Sequence, residues 1–263
     1  MAPASSGGSD SNDCSSPTVV SAGVGPCETL LHATQAATGY FWSSGHNQQV
    51  DVYMEDGTYD DAANSAQWNG SSFSTCDATV ATCTAQEVID AQGSAQFPIV
   101  IAPDPENGTG NVTIQRPANA GTTSQQTPLL DVFDSSNVEI DGITVEGVQT
   151  TGADGNAQGT GCLSTCVDPG SSQGEVNVTY DPANLPSPGT NSGIALDGVS
   201  VDDSNWTCLY LNNAEYVTVD GGDFTDCGST TSEPAVYLGA SNDTFENSTV
   251  GYGAGFGVFV KAS

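Results

Sequence analysis

Two acids and a lysine in the second half of the chain have types that could support catalysis. Asp202 and Asp203 are adjacent carboxylates, and Lys261 is one of only two basic residues among the 263. Acids can serve in general acid–base catalysis or glycoside hydrolysis, and a lysine can abstract a proton. We therefore name these three as candidate catalytic residues, against the plainer interpretation of a solvated acidic turn and a lone surface lysine.

A second group of acids recurs at one turn position. Asp-Gly pairs occur at Asp141, Asp197 and Asp220, and turn chemistry alone explains such pairs. The alternative is a cation site, because stacked carboxylates repel one another and Ca²⁺ binds such oxygens. The candidate Ca²⁺ ligands are Asp197, Asp220 and Asp223, with further acids in the adjacent turns at Asp202, Asp203 and Asp226.

Three aromatic residues alternate with apolar ones in short segments. Tyr210 lies in LYL, Tyr237 in VYL and Phe259 in VFV, so all three should point outward at the same position of successive repeats. An exposed row of flat rings is suited to binding the faces of sugars. The alternative is an aromatic ladder that stabilises the fold, or packing beneath a loop or a partner.

These positions belong to an internal repeat. Residues 130–142 (LDVFDSSNVEIDG) align without a gap on residues 209–221 (LYLNNAEYVTVDG), and residues 236–247 are a third copy. Apolar residues alternate within each copy, which predicts short strands with one buried face. Val219 follows Leu196 by 23 residues and Phe245 follows Val219 by 26. Such short repeats fit one turn of a parallel β-helix better than a propeller blade of about 40–45 residues.

The SN-V-x-I-DG-I-T-V pattern of residues 136–145 resembles the right-handed parallel β-helix superfamily of pectin-lyase-like proteins. The resemblance covers residues 128–263, and QVDVYMEDGTYDD (49–61) and FPIVIAPDPENGTGNVTIQ (97–115) look similar to its first strands. It implies an all-β chain folded as a right-handed parallel β-helix (β-solenoid). It also implies a short N-terminal capping helix, which ETLLHATQAA (28–37) would form.

The family resemblance also implies where an active site would be. Its lyases use an arginine or lysine base with acid-bound Ca²⁺, and here only Arg116 or Lys261 could be that base. Its hydrolases use an aspartate cluster with a histidine. Asp202 and Asp203 are similar to that cluster, but no histidine follows His46. The enzyme patterns are therefore incomplete within this chain.

The chain divides into three predicted parts. Residues 1–26 form a flexible Ser/Gly-rich leader, 27–127 the cap and first rungs with a long loop, and 128–263 the regular rungs. We expect a short helix near residues 84–91. Residues 150–190 should be a loop excursion about two rungs long, with a strand near residues 176–180. The last rung has no cap, which predicts a continuing chain or an end-to-end contact there.

The net charge and the cysteine content of the chain indicate which partners and which cellular compartment to expect. With 32 acids and 2 bases the net charge is −30, which argues against nucleic acids and anionic membranes as partners, and no apolar run is long enough to span a membrane. Eight cysteines in a polar background predict disulfides and an oxidising compartment. Neighbour pairing gives Cys14/Cys27, Cys76/Cys83, Cys162/Cys166 and Cys208/Cys227. Zinc binding is the alternative, but the sequence has no Cys-x-x-Cys and neither His32 nor His46 has zinc-finger spacing.

Together these features predict an extracellular or cell-surface β-solenoid that acts as an adhesin, a stalk or a polysaccharide-binding surface, without catalysis in this chain. The alternative is the N-terminal part of a polysaccharide lyase or glycoside hydrolase, with its active site on or beyond the last rungs. A third hypothesis is a filament subunit that pairs through its open end.

Overall fold

The computed structural model describes residues 1–60, 65–69, 72–76, 83–115, 128–147, 174–179, 192–204, 207–228, 234–251 and 255–261. Besides a short 3₁₀ turn, Ala4–Ser6, these residues form one helix and twenty strands. In chain order they are α1 (Leu30–Ser43), β1 (Val50–Met54), β2 (Gly57–Tyr59), β3 (Ser65–Trp68), β4 (Phe73–Cys76), β5 (Glu87–Ile89), β6 (Ile99–Pro103), β7 (Val112–Gln115), β8 (Leu130–Val132), β9 (Ser136–Asp141), β10 (Thr144–Glu146), β11 (Gly174–Thr179), β12 (Ser192–Asp197), β13 (Ser200–Asp202), β14 (Thr207–Glu215), β15 (Thr218–Asp220), β16 (Asp223–Thr225), β17 (Val236–Ser241), β18 (Thr244–Glu246), β19 (Thr249–Gly251) and β20 (Val258–Val260).

The strands form three stacks, and the chain visits the stacks in turn. The first stack is β1-β6-β9-β12-β15-β18, the second β2-β7-β10-β13-β16-β19 and the third β5-β8-β11-β14-β17-β20. Every neighbouring pair in these stacks is parallel; the antiparallel pair β3–β4 is a separate hairpin between β2 and β5. Each round of three strands is one rung. The predicted all-β parallel β-helix is confirmed.

Apolar residues form columns through the inside of the coil, because each inward residue lies in register with one on the next rung. One such column in the first stack consists of Val52, Ile101, Ile140, Leu196, Val219 and Phe245. Its counterpart in the second stack consists of Tyr59, Ile114, Val145, Val201, Phe224 and Val250. Burying each such side chain contributes roughly 1.5–3 kcal/mol, so the columns hold the rungs together.

Corners between stacks repeat a left-handed backbone position from rung to rung. Asn137, Gly193, Tyr216 and Asn242 have φ values of 51°, 67°, 56° and 62°, and each follows a residue paired with its counterpart on the next rung. A left-handed residue is inexpensive for glycine and tolerable for asparagine, but it is strained for tyrosine. The turn glycine of each Asp-Gly pair is left-handed as well.

The predicted capping helix is present and covers the first rung. Thr29 is its N-cap and its side chain accepts a hydrogen bond from the His32 N–H, while Leu30 and Phe41 are fully buried. The Glu87 carboxylate accepts a hydrogen bond from the Leu30 N–H at 2.8 Å, so an acid of β5 binds the positive end of the helix dipole. The open end of the core is thereby closed.

Residues 1–26, which the composition predicts to be a flexible leader, pack against this capped end. Ala2 is buried and donates its N–H to the Cys27 carbonyl, and the Met1 carbonyl accepts from the Glu55 N–H. The disulfide Cys14–Cys27 and the hydrogen bond from Asn12 to the Pro26 carbonyl hold the segment back on itself. The three predicted domain boundaries stay predictions.

One detail of the predicted organisation is wrong, and another concerns the insertion before β12. Residues 87–89 form β5 rather than part of a helix, because they complete the first rung by pairing with β8. Ile140 and Leu196 pair directly, so the segment between them adds one rung, and most of the predicted loop excursion lies outside the described residues. The added length is inserted around β11, whose position confirms the strand predicted near Val176.

The last described strand leaves its surface open. Val258, Phe259 and Val260 of β20 are all exposed, although they continue columns that are buried in earlier rungs. The end-to-end contact predicted here stays a prediction. None of the described helices has the length and apolar character that crossing a membrane requires.

Candidate functional site

The predicted aromatic row is a continuous ring stack along the third strand stack. Tyr210, Tyr237 and Phe259 lie in register on β14, β17 and β20. Ring centroids are 4.6 Å apart for the two tyrosines and 5.3 Å apart for Tyr237 and Phe259, with nearly parallel planes. Tyr210 is only 6% exposed, whereas Phe259 is 43% exposed. Each inner ring face meets another ring, so the arrangement matches the stabilising ladder, and the expectation of an exposed row fails at Tyr210.

The same outer column contains polar residues on earlier rungs. Asp131 and Asn177 precede Tyr210 in register, and the apolar Val88 precedes Asp131. Asp131 is buried, and one of its carboxyl oxygens has no hydrogen-bond partner. Burial raises the pKa of Asp131 to about 7. This residue therefore changes charge near neutral pH, unlike an ordinary aspartate.

The recurring Asp-Gly turns form an acid ladder along one edge of the first stack. Asp141, Asp197, Asp220 and Glu246 pair in register on four successive rungs. Burial, with the neighbouring charge of Asp197, raises the pKa of Asp141. Asn247 donates a hydrogen bond to Asp220 at 2.8 Å. Asp223, the third predicted Ca²⁺ ligand, begins β16 and points to solvent, so these three acids do not form one compact ligand set in the described structure.

A second, closer group of carboxylates lies where two strands of the second stack, β13 and β16, end. Carboxylate oxygens of Asp202, Asp203 and Asp226 all lie within 4.8 Å of one another. Asp202 also accepts hydrogen bonds from the Thr225 hydroxyl and the Asp203 N–H, at 2.9 and 3.0 Å. The disulfide Cys208–Cys227 lies beside the group and holds the two neighbouring rungs together. Three hard oxygens at this spacing have the chemistry of a partial Ca²⁺ site.

The predicted base does not join these acids in the described part of the chain. Lys261 follows β20, donates its backbone N–H to the Leu238 carbonyl and forms no ion pair with any described acid. Arg116 lies outside the described residues. The candidate catalytic set is therefore divided: Asp202 and Asp203 come together with Asp226, and Lys261 stays apart.

Three of the four predicted cysteine pairs are confirmed as disulfides: Cys14–Cys27, Cys76–Cys83 and Cys208–Cys227. Cys162 and Cys166 lie outside the described residues. His32 is close to the first disulfide, and its Nε2 contacts the Asn12 carbonyl at 3.2 Å. Because sulfur in a disulfide is not a thiolate ligand, the alternative of zinc at Cys14 and Cys27 does not apply. Disulfides fit an oxidising compartment.

One concave site of the described structure was not predicted from the sequence. It is a groove of about 550 Å³ between residues 13–17, α1, β1 and the loop that follows β6, and we call it the capped-end groove. Ala33 and Ala37 of α1 and Val52 of β1 form part of its apolar floor. Small alanines on this face of the helix leave space where the helix lies over the first strand.

Two tyrosines flank the capped-end groove with exposed rings. Tyr40 is 55% exposed near the end of α1, and its hydroxyl accepts a hydrogen bond from Gln48 at 3.1 Å. Tyr53 is 44% exposed on the outer face of β1, and its hydroxyl donates to Asp51 at 3.2 Å. The Asp51 charge raises the pKa of Tyr53. These rings, unlike the inner rings of the stack, are accessible to a ligand.

Five carboxyl groups line the same groove: Asp13, Asp51, Glu55, Asp104 and Glu106. Asp104 accepts hydrogen bonds from the Asn107 amide and from the Glu106 and Asn107 N–H groups, which lowers its pKa and shapes the loop that carries Glu106. Burial raises the pKa of Glu55, partly offset by the Met1 amino group. The groove thus combines apolar surface, rings and negative charge.

Sequence reasoning missed this groove because its lining comes from five separated segments, namely residue 1 and parts of 13–17, 33–40, 50–55 and 104–107. One local signal was present: Asp51 and Tyr53 alternate with buried residues in VDVYM, which places both on the outer face of β1. Nothing in the sequence showed that the helix and residues 13–17 lie beside that face. Comparison with protein-family models, with curated proteins and with solved structures found no match.

Proposed function

We propose that this chain is a cell-surface or extracellular β-helix segment that binds a polysaccharide without cleaving it. The observation that carries the proposal is the capped-end groove, where two exposed tyrosine rings and several carboxylates face one cavity. Sugar rings present apolar C–H faces to aromatic rings and hydroxyl donors to carboxylates. The remainder of the β-helix is then a stalk that displays the groove.

Other observations support parts of this proposal. Three disulfides favour an exported protein. The rung stacking and the capping helix support membership of the pectin-lyase-like superfamily, although a shared fold leaves the activity open. The aromatic stack of Tyr210, Tyr237 and Phe259 contributes to the rigidity of the stalk. We assign ligand binding to Tyr40 and Tyr53 in its place.

The test is to titrate the purified chain with neutral, acidic and basic oligosaccharides by calorimetry, with and without Ca²⁺. We expect binding to at least one class, weakened about tenfold by Tyr53→Ala because a stacked aromatic contact is lost. Tyr216→Ala is the matched control, since Tyr216 is 57% exposed but lies on a later rung. Failure of every saccharide to bind, or equal loss in the two variants, would reject the proposal.

The carboxylate group of Asp202, Asp203 and Asp226 favours a second candidate function, that of a polysaccharide lyase or glycoside hydrolase. Grouped acids on adjacent rungs could hold Ca²⁺ or share the acid and base roles of hydrolysis. Assaying new reducing ends and unsaturated products in the same mixtures tests this function. Products that disappear in Asp203→Asn would establish catalysis and overturn the non-catalytic proposal.

A further inference from the structure

We infer that the capped-end groove selects a positively charged saccharide, one whose sugar units carry free amino groups. The inference rests on the proposed function, because it names the chemical class of ligand for the same site. It depends on the charge of the groove, on which of its carboxylates are unoccupied and on how those carboxylates are spaced.

The groups that line the groove carry mostly negative charge. Five carboxyl groups line it, and the amino group of Met1 is the one basic group in its lining. Burial lowers the pKa of that amino group, which reduces its positive charge further. Lys261, the one lysine or arginine side chain among the described residues, follows the last described strand, whereas the groove lies at the first. An anionic polymer would be repelled from this site and a cationic one attracted.

The five carboxylates differ in the hydrogen bonds that they already accept. Asp13, Asp51 and Asp104 already accept hydrogen bonds from Ser15, Tyr53 and Asn107 respectively. The side chains of Glu55 and Glu106 accept none from the part of the chain that the structure describes. A ligand ammonium group forms short charge-assisted hydrogen bonds with such carboxylates, and neighbouring hydroxyls can donate to them as well.

The spacing of these acids favours an extended organic cation over a metal ion. Groups of three described residues whose ligand atoms lie within 4.8 Å of one another occur in two places, and neither includes an acid of this groove. Ca²⁺ needs several oxygens at about 2.3–2.6 Å, and Mg²⁺ needs them closer still. Carboxylates spread around a cavity of about 550 Å³ are instead matched by amino groups on successive sugar units.

The two tyrosines favour a saccharide over a simple polyamine. Their exposed rings offer flat apolar surfaces for the C–H faces of sugars, and they can also attract an ammonium group to the ring face. A flexible polyamine would use the charge but gain little from two flat surfaces. An amine-bearing sugar uses both features.

The test compares a β-1,4-linked glucosamine tetramer with its fully N-acetylated counterpart, which has the same rings but no charge. Titration calorimetry with the whole chain should show at least about tenfold tighter binding of the free amine. That preference should weaken when the salt concentration rises from about 0.05 M to about 0.3 M, because added salt screens the charges.

Matched variants locate the preference in the groove. Glu106→Gln should reduce the ratio of the two affinities by about threefold or more, because it removes an unoccupied charge from the groove. Glu246→Gln is the control, since Glu246 is also exposed but lies on the last described rung. Both residues are on the surface, so neither change should disturb folding.

Equal affinities for the two tetramers would overturn the inference while leaving the proposed function standing. Binding of neither tetramer, nor of any other saccharide, would overturn both. A lysine-rich peptide that binds as tightly as the amine-bearing tetramer would show that the groove recognises basic peptides, and would also overturn the inference.

Discussion

The regular rungs and the capped end of this protein differ in which contacts determine the residue type at each position. In the rungs, a position is filled by chemically similar residues from one rung to the next: apolar columns inside, Asp141, Asp197 and Asp220 at one turn, and aromatic rings in the third stack. At the capped end, residues are matched to partners from other elements. Glu87 lies in register with Leu130 of the next rung, yet it binds the N-terminus of α1.

This difference shows where the protein can place chemistry. In-register stacking places chemically similar side chains next to one another. This stabilises a column but brings few different functional groups together at any one point. At the capped end the helix, the N-terminal segment and two rungs meet, so rings, carboxylates and apolar residues line a single groove. If this is correct, the stability of a residue in the regular rungs depends on its neighbours in the same column. The stability of a residue at the capped end depends on its contacts with other elements.

The largest expected effect is at Asp131, an acid whose neighbour on the next rung is Asn177. Asp131→Asn should raise the free energy of unfolding at pH 8 by roughly 4 kcal/mol at most, since the folded pKa is about 7 and the ordinary value 3.8. The folded state binds this proton more tightly than the unfolded state. Stability of the parent should therefore fall as pH rises from about 4 to about 7.

Urea unfolding of parent and variant at pH 4 and pH 8 measures this effect. The two should be similar at pH 4 and differ at pH 8. Asp60→Asn, at an exposed aspartate, is the control and should change stability by no more than about 0.5 kcal/mol. An identical pH dependence in parent and Asp131→Asn would show that Asp131 is not the group that titrates.

At the capped end, replacing a residue by the type found at the same column position of the next rung should destabilise the protein. Glu87→Leu gives β5 the residue type of Leu130, but it leaves the Leu30 N–H without its acceptor in a buried place. We expect a loss of about 1–3 kcal/mol, measured by urea unfolding. Glu87→Gln keeps a hydrogen-bond acceptor and should lose less. If Glu87→Leu is as stable as the parent, then packing within the column, and not the contact with α1, determines which residue is favoured at position 87.

The smallest expected effect is at Tyr216, where a tyrosine has a left-handed backbone at φ 56°. Counterparts on other rungs are Asn137, Gly193 and Asn242. Tyr216→Asn should raise the free energy of unfolding by about 1 kcal/mol, because a left-handed residue with a bulky side chain costs about 1–2 kcal/mol. Tyr53→Asn, at an exposed tyrosine without positive φ, should not stabilise. Equal changes in the two variants would show that backbone strain is not the cause.

Much of the fold could be predicted because its signals are local. Alternating apolar residues in segments such as residues 130–142 define a strand face, and the Asp-Gly turns define where strands end. The register of Tyr210 with Tyr237 follows from the same repeat. The segment from Ile140 to Leu196 is about two rungs long, but irregular sequence carries no periodicity that reveals how many rungs it spans. Only the pairing of Ile140 with Leu196 shows that it spans one.

The sequence by itself determined the parallel β-helix, its capping helix and three disulfides, because strand periodicity, helical spacing and neighbouring cysteines act over short stretches of chain. Only the tertiary structure decided which exposed residues meet. Asp13, Tyr40, Tyr53 and Glu106 are successively 27, 13 and 53 residues apart in the chain. They line one groove because the N-terminal segment and α1 fold back over the first two rungs. Contacts of this kind depend on how elements pack, which the pattern within each element does not contain.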